Sequence, residues 1–241
     1  MASKKKKKSD VPLIMTGVVA ALCFFSCVYR FVKDNSANEG YDKFLSIILI
    51  ILSLAIVILA FTNFRKYTFA CVTAFCVFVG IKHINNFNSI VDEFREGKSV
   101  TEGRDINLFK VKAFYVFDAL HSISLIILAI AMLIMLALIF FTKLRGLGTF
   151  IIIVSGISAL LGIITVAINV LNNFKENKGN KEFFAQNISE VIYILLSIAM
   201  VILITVSAKE SVVKKKKRPA VAEDERPVIR NVKRIEPKKK K

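Results

Sequence analysis

Two histidines and two carboxylates are the side chains in this sequence whose types and spacing could support chemistry. Asp118 and His121 are three residues apart, so a helix places them on one face, and His83 and Glu190 fall at the ends of neighbouring apolar stretches. Imidazole and carboxylate groups bind metal ions and also hydrogen-bond small polar ligands. The four residues therefore form a candidate outer polar vestibule, to which we assign no metal.

Ordinary helix chemistry gives an alternative interpretation of the same residues. Asp118 stands where the N-cap of the following helix is expected, and Asn187 and Glu190 have the spacing of a capping box. Arginine and lysine near a helix end commonly extend to lipid headgroups. The other polar residues at this level are Arg30, Lys82, Asn85, Asn169 and Asn172.

No motif of a known catalytic centre accompanies these residues. The sequence lacks P-loop, H-E-x-x-H, G-x-S-x-G and C-x-x-C patterns, and the centre of every apolar stretch is uncharged. An ionisable group near the bilayer centre is a usual mark of an ion-coupled transporter. The four cysteines lie inside apolar stretches, where small buried thiols are expected. We therefore expect a protein that is not an enzyme and has no cofactor.

Six apolar blocks are long enough to cross a membrane and to position this polar layer. The chain has 241 residues, of which 55% are hydrophobic and 22% charged, and the two classes occupy separate blocks. A helix needs about 20 apolar residues to cross about 30 Å of hydrocarbon. The sequence therefore predicts an all-α, polytopic integral membrane protein with six transmembrane helices. The spans are predicted near 11–32, 44–63, 67–87, 119–142, 148–171 and 188–208.

Basic residues are divided unequally between the two sides of the membrane. The N-terminal segment 1–10, two short turns and the tail 209–241 carry 23 of the 35 lysines and arginines but only 6 of the 18 acidic residues. That side has the whole formal net charge of +17. Because lysine and arginine are retained on the cytoplasmic side, both termini are predicted to be cytoplasmic. The composition, rich in lysine, isoleucine and asparagine, indicates an AT-rich genome, and we expect a bacterial plasma membrane as the location.

Similar turns indicate an internal repeat. The chain leaves the second span as "FTNFRKYTF" (61–69) and the fourth as "FTKLRGLGTF" (141–150), which predicts three tandem helical hairpins. Small residues allow helices to approach closely in lipid. We therefore predict that the odd-numbered spans, which contain glycine, form the interior and that the even-numbered spans face lipid. The glycines are Gly17, Gly80, Gly156 and Gly162.

The loop 88–118 is predicted to contain a short amphipathic helix. Apolar residues from Phe87 to Phe94 follow an i, i+3, i+4, i+7 pattern, and Gly97 ends it. We expect this helix to lie on the outer membrane interface. A second apolar stretch, 106–117, either extends the fourth span or lies flat.

The C-terminal tail carries a polybasic run soon after the sixth span. These residues would contact anionic lipid headgroups, although an acidic protein or RNA would attract the same charges. Three prolines interrupt the remaining tail, which has too few apolar residues for a core and is predicted to be disordered. The run consists of Lys214, Lys215, Lys216, Lys217 and Arg218.

Two functions are expected from these features. The first is a non-catalytic scaffold, assembly factor or anchor, whose tail binds anionic lipid or an acidic partner and which forms homo-oligomers. The second is a small-solute transporter or channel that uses the outer polar vestibule as its entrance. The first function depends on the tail, and the second depends on His83, Asp118, His121 and Glu190.

Overall fold

A computed structural model describes residues 11–33, 40–96, 108–141, 145–174 and 177–216, and within these segments all regular secondary structure is helical. Each of the six described helices contains a stretch that is long and apolar enough to cross a membrane. The predicted all-α, six-span architecture is therefore confirmed. The helices are α1 (Val11–Lys33), α2 (Tyr41–Phe61), α3 (Arg65–Glu96), α4 (Leu108–Phe141), α5 (Arg145–Asn173) and α6 (Lys181–Lys216).

Three helices extend far beyond their predicted spans. α4 begins at Leu108 and α6 at Lys181, ahead of the predicted starts near 119 and 188, so the stretch after 106 extends the fourth span. The amphipathic segment predicted as a separate surface helix instead continues α3 as far as Glu96. Neither Gly nor Pro interrupts the chain between Ile81 and Glu96, which allows one uninterrupted helix. The predicted basic N-terminus 1–10 and the tail beyond Lys216 lie outside the described residues.

A Schellman motif forms the turn between α2 and α3. Asn63 adopts a left-handed φ of 63°, which asparagine tolerates better than most residues. The backbone N–H groups of Asn63 and Phe64 donate to the carbonyls of Ala60 and Leu59 at 3.2 and 3.0 Å. The Thr62 hydroxyl also donates to the Ile58 carbonyl at 2.7 Å. This capping chemistry explains the Phe-Thr-Asn-Phe sequence at the turn.

The six helices form a closed ring with one pair packed across it. Each helix packs against the next in sequence, α6 closes the ring against α1, and α3 also packs against α6. The bundle can therefore be described as two four-helix groups that share α3 and α6. Arg30 near the end of α1 contacts Glu190 near the start of α6, so these helices run antiparallel, and α1 begins at the same end of the bundle at which α6 ends. We call this the terminal end and the opposite one the vestibule end.

The prediction that odd-numbered spans form the interior and even-numbered spans face lipid is wrong for three of the six helices, α1, α5 and α6. The central pair is α3 and α6, one odd and one even. α1 and α5 expose large apolar side chains to the surroundings, such as Phe25 at 67% and Leu160 at 60%. α6 has no exposed residue between Leu196 and Ala208, a segment that is fully described. A glycine in a span therefore does not mark a central helix.

The packing of the helices agrees with a repeat of three helices and not with a repeat of one hairpin. Exchanging α1–α3 with α4–α6 leaves the set of packed helix pairs unchanged, including α3 against α6. If the three hairpins were equivalent, α2 would pack against α5 and α1 against α4 as closely as α3 packs against α6. The described helices do not pack in this way. Because each half crosses the membrane three times, the two halves have opposite orientations. The hairpin repeat thus remains a prediction from sequence without support from packing.

Close packing is strongest in the half of the bundle near the termini. Phe69, Phe75, Leu128, Met132 and Ile204 are at most 2% exposed and belong to one continuous cluster. Lipid tails are as apolar as these side chains, so dispersion contacts rather than water exclusion hold the helices together. All four cysteines are free thiols, of which Cys23, Cys27 and Cys76 are buried and Cys71 is half-buried.

Gly17 allows α1 and α2 to approach closely at the terminal end. A Cβ atom at this position would lie 3.1 Å from the Cβ of Ala60 and 3.2 Å from Cε2 of Phe61. A Cβ at Gly156 on α5, in contrast, would have no neighbour within 4 Å. The two glycines therefore form a matched pair, one tightly packed and one open.

We predict that Gly17→Leu lowers the free energy of unfolding by about 1–3 kcal/mol, because the added side chain overpacks the α1–α2 contact. Gly156→Leu adds the same atoms in open space and should change it by less than about 0.5 kcal/mol. Unfolding of both variants in detergent micelles measures the difference. Equal stability of the two variants would contradict the close α1–α2 packing.

Candidate functional site

A cavity of about 440 Å³ opens at the vestibule end and is lined by all six helices. Its volume lies within the range of small-molecule binding sites. The structure places all four residues of the predicted outer polar vestibule in the lining of this one cavity, which we call the vestibule. They are His83 on α3, Asp118 and His121 on α4, and Glu190 on α6.

The vestibule reaches approximately to the middle of the bundle. Gly162 lines it on α5, and this residue lies about 16 Å before the helix end at Asn173, at about 1.5 Å per residue. Further towards the terminal end, Phe75, Leu128 and Met132 fill the interior and are at most 2% exposed. In the described part of the chain the vestibule thus ends on close-packed apolar side chains.

An ion pair joins α1 to α6 in the vestibule wall. Nη2 of Arg30 lies 2.6 Å from Oε2 of Glu190, and the guanidinium lies over the ring of Tyr193 at 4.7 Å from its centroid. A charge-assisted contact that also stacks on an aromatic ring fixes the guanidinium plane. At the rim, Lys33 and Glu182 form a second pair at 2.8 Å, which is solvent-exposed and contributes little stability.

The two histidines meet edge to face between α3, α4 and α5. Their ring centroids are 5.3 Å apart with an angle of 86° between the planes. His121 is 5% exposed, and its Nδ1–H donates to the Ser158 carbonyl at 2.9 Å, since a carbonyl oxygen only accepts. Nδ1 of His83 is hydrogen-bonded to the Ser122 hydroxyl at 3.2 Å. Both rings are therefore held in fixed orientations by neighbouring helices.

Asp118 is not the N-cap that its position suggested. α4 begins at Leu108, so Asp118 lies inside the helix and faces the vestibule, where it is half-buried. Its carboxylate is repelled by that of Glu190 and forms neither a hydrogen bond nor an ion pair with the residues described. Lys82 on α3 also lines the vestibule without an ion pair in the described part of the chain.

The capping box proposed for Asn187 and Glu190 is also wrong, because α6 begins earlier. Oδ1 of Asn180 accepts hydrogen bonds from the N–H groups of Glu182 and Phe183 at 3.1 and 3.2 Å, so Asn180 is the N-cap. Asn187 lies one to two turns into the helix and accepts a hydrogen bond from Nδ2 of Asn169 at 3.1 Å.

Asparagines link α5 to α6 beside the vestibule in a series that our sequence analysis missed. Nδ2 of Asn173 donates to Oδ1 of Asn169 at 2.9 Å, and Nδ2 of Asn177 donates to the Asn173 carbonyl at 3.1 Å. Nδ2 of Asn180 continues the series to Oδ1 of Asn177 at 3.3 Å. The four-residue spacing of Asn169, Asn173 and Asn177 was the available signal, since it places them on one helical face.

Among the residues that the structure describes, no three His, Cys, Asp or Glu side chains are grouped closely enough to hold a metal ion.

The described part of the polybasic run lies at the other end of the bundle. Lys214, Lys215 and Lys216 occupy the last turn of α6, where positive charge is favourable next to the carbonyl end of a helix, whereas Lys217 and Arg218 lie outside the described residues.

Comparison of the chain with known protein families, with curated proteins and with solved structures gives no significant match. The function must therefore be argued from the site.

Gly162 creates the space that His121 occupies. A Cβ atom on Gly162 would lie 2.8 Å from Cε1 of His121 and 3.0 Å from Cδ1 of Ile194. The imidazole cannot easily move away, because its Nδ1–H is bonded to Ser158 on α5 itself. Gly162 is thus a positioning residue for the deepest imidazole of the vestibule.

We predict that Gly162→Ala lowers the free energy of unfolding by about 1–3 kcal/mol through overpacking against this ring. In a His121→Ala background the same substitution should have a clearly smaller effect, because the ring that it meets is gone. A double-mutant cycle by unfolding in detergent measures this coupling. Purely additive effects would contradict the contact between Gly162 and His121.

Proposed function

We propose that this protein is a non-catalytic, multi-pass membrane protein that binds a small polar solute in the vestibule as a step in carrying it across the membrane. The observation that carries the proposal is the 440 Å³ cavity with charged side chains from four helices in its lining. Charged groups inside a helical membrane bundle are costly and usually serve a function. A protein used only as an anchor would not need such a cavity.

The arrangement of helices supports the same proposal. Many transporters consist of two structurally related halves of opposite orientation, with the substrate site between them near the membrane midplane. Here the packing pattern is unchanged when α1–α3 and α4–α6 are exchanged, and the vestibule has lining residues from both halves. An open vestibule above a closed terminal half corresponds to one end state of an alternating-access cycle.

We further propose that the vestibule faces the outside of the cell. The basis is the net charge of +17 on the side of the termini, which predicts that both termini are cytoplasmic. The location that we propose is a bacterial plasma membrane.

A scaffold or anchor function of the polybasic tail is our second candidate. The observation in its favour is that α6 continues from the end of its span at Ala208 to Lys216. At about 1.5 Å per residue, Lys214 lies about 9 Å beyond the apolar span, which is close to headgroup depth. Anionic lipid is the partner favoured by this position, and an acidic protein, RNA or a second copy of the chain are the alternatives.

The solute-binding proposal is tested with cysteines at two serines on one face of α2. Ser46 lines the vestibule, and Ser53, seven residues further along, is fully buried in the core. In a Cys27→Ala background, which removes the native thiol of the vestibule, Ser46→Cys should react with a membrane-impermeant thiol reagent added to intact cells. Ser53→Cys should not react, and a bound solute should protect Ser46→Cys.

Three outcomes would count against these assignments. Reaction of Ser46→Cys only after permeabilisation would show that the vestibule faces the cytoplasm. Equal reaction of Ser46→Cys and Ser53→Cys would contradict the closed terminal half. Absence of protection by every solute in a broad panel of sugars, amino acids, amines and organic acids would contradict solute binding.

The scaffold candidate is tested with the full chain in lipid nanodiscs. The protein carries the substitution Arg230→Cys, and a fluorophore is attached to this cysteine. The tail should approach the headgroups of anionic lipid more closely than those of neutral lipid. Replacing Lys214–Lys217 and Arg218 with glutamine should abolish this difference, because each residue contributes up to about 1 kcal/mol. Glutamines at Lys238–Lys241 serve as a control, and insensitivity to lipid charge would refute lipid anchoring.

A further inference from the structure

Most, but not all, of the described charged side chains around the vestibule form ion pairs. Arg30 is paired with Glu190 and Lys33 with Glu182. The lining charges that remain are Lys82 on α3 and Asp118 on α4, which have no ion-pair partner among the residues described. The vestibule therefore offers one cation and one carboxylate to a solute.

Both of these charges are partly withdrawn from water. Lys82 and Asp118 are half-buried, and the nearby carboxylate of Glu190 adds repulsion at Asp118. A charge in such a place is stabilised when a counter-charge replaces the water that it has lost. An ammonium group of a ligand would provide this at Asp118, and a carboxylate would provide it at Lys82.

We infer that the solute is a small zwitterion with one ammonium and one carboxylate group, as in a free amino acid. This inference rests on the proposed function and names the substrate class of the same site. The ammonium binds Asp118 and the carboxylate binds Lys82. Phe31, Phe114 and Val166 line other parts of the cavity and provide apolar contact for a side chain of the solute.

Other solute classes match these groups less well. A neutral sugar would leave both Lys82 and Asp118 without counter-charges. A phosphate or another simple anion would meet Lys82 but would face the carboxylates of Asp118 and Glu190. A simple amine would satisfy Asp118 alone.

The test compares a zwitterion with analogues that lack one charge. Binding to the full chain in nanodiscs is measured by calorimetry for the common amino acids. The best binder is then compared with its carboxamide, which lacks the anion, and with its deaminated acid, which lacks the cation. We expect each analogue to bind at least about tenfold more weakly, since each loses one charge-assisted contact.

Two variants assign the charges to residues. Asp118→Asn should weaken the zwitterion at least about tenfold and leave the deaminated acid unaffected, because that acid has no ammonium. Lys82→Gln should weaken the zwitterion equally and leave the carboxamide unaffected. Asp42→Asn and Lys43→Gln remove the same charges from α2, outside the vestibule lining, and should leave binding unchanged.

The outcomes separate this inference from the proposed function. Binding of a sugar, an amine or an anion without binding of any zwitterion would overturn the inference and leave solute binding intact. Zwitterion binding that is insensitive to both Asp118→Asn and Lys82→Gln would also overturn it. Absence of binding by every solute class would overturn both.

Discussion

An ionised side chain inside a membrane needs either water or a counter-charge, and this constraint accounts for most of the bundle's design. The backbone groups are satisfied within the six helices, so the remaining question is where the charges can be placed. The described charges within the spans lie towards the helix ends. Those at the vestibule end surround a cavity, and some of them form ion pairs there, as Arg30 does with Glu190. The opposite half packs closely around Phe75 and Met132.

Polar side chains below the vestibule mouth are held by helices on either side of them. His121 on α4 is bonded to α5 and sits against Gly162, and His83 on α3 is bonded to α4. The asparagine series does the same for α5 and α6 through Asn169 and Asn187. These contacts fix the vestibule wall from α3 to α6, so the polar groups have defined positions before any solute arrives.

Hydrophobic block length was sufficient to predict the helices, because about 20 apolar residues leave a helix as the main solution in a bilayer. The depth of charged residues along those blocks also placed His83, Asp118, His121 and Glu190 together. Helix starts were predicted poorly, because Asp118 and Asn187 resemble capping residues but lie inside helices. α4 begins at Leu108, ahead of Asp118, and α6 begins at Lys181, ahead of Asn187. Which helices are central was not predictable from glycine content, because Gly17 on the peripheral helix α1 has a close neighbour and Gly156 on the peripheral helix α5 has none.

Neighbouring helices around the ring are joined by two different kinds of polar contact. A buried imidazole hydrogen bond joins α4 to α5 and a part-buried amide hydrogen bond joins α5 to α6, whereas the ion pairs Arg30–Glu190 and Lys33–Glu182 join α1 to α6 at the vestibule end. Dissolved ions compete with the second kind of contact far more effectively than with the first. At the vestibule end, the boundary between the first and last helix is therefore the part of the ring whose contacts depend most on the ionic strength of the surrounding medium.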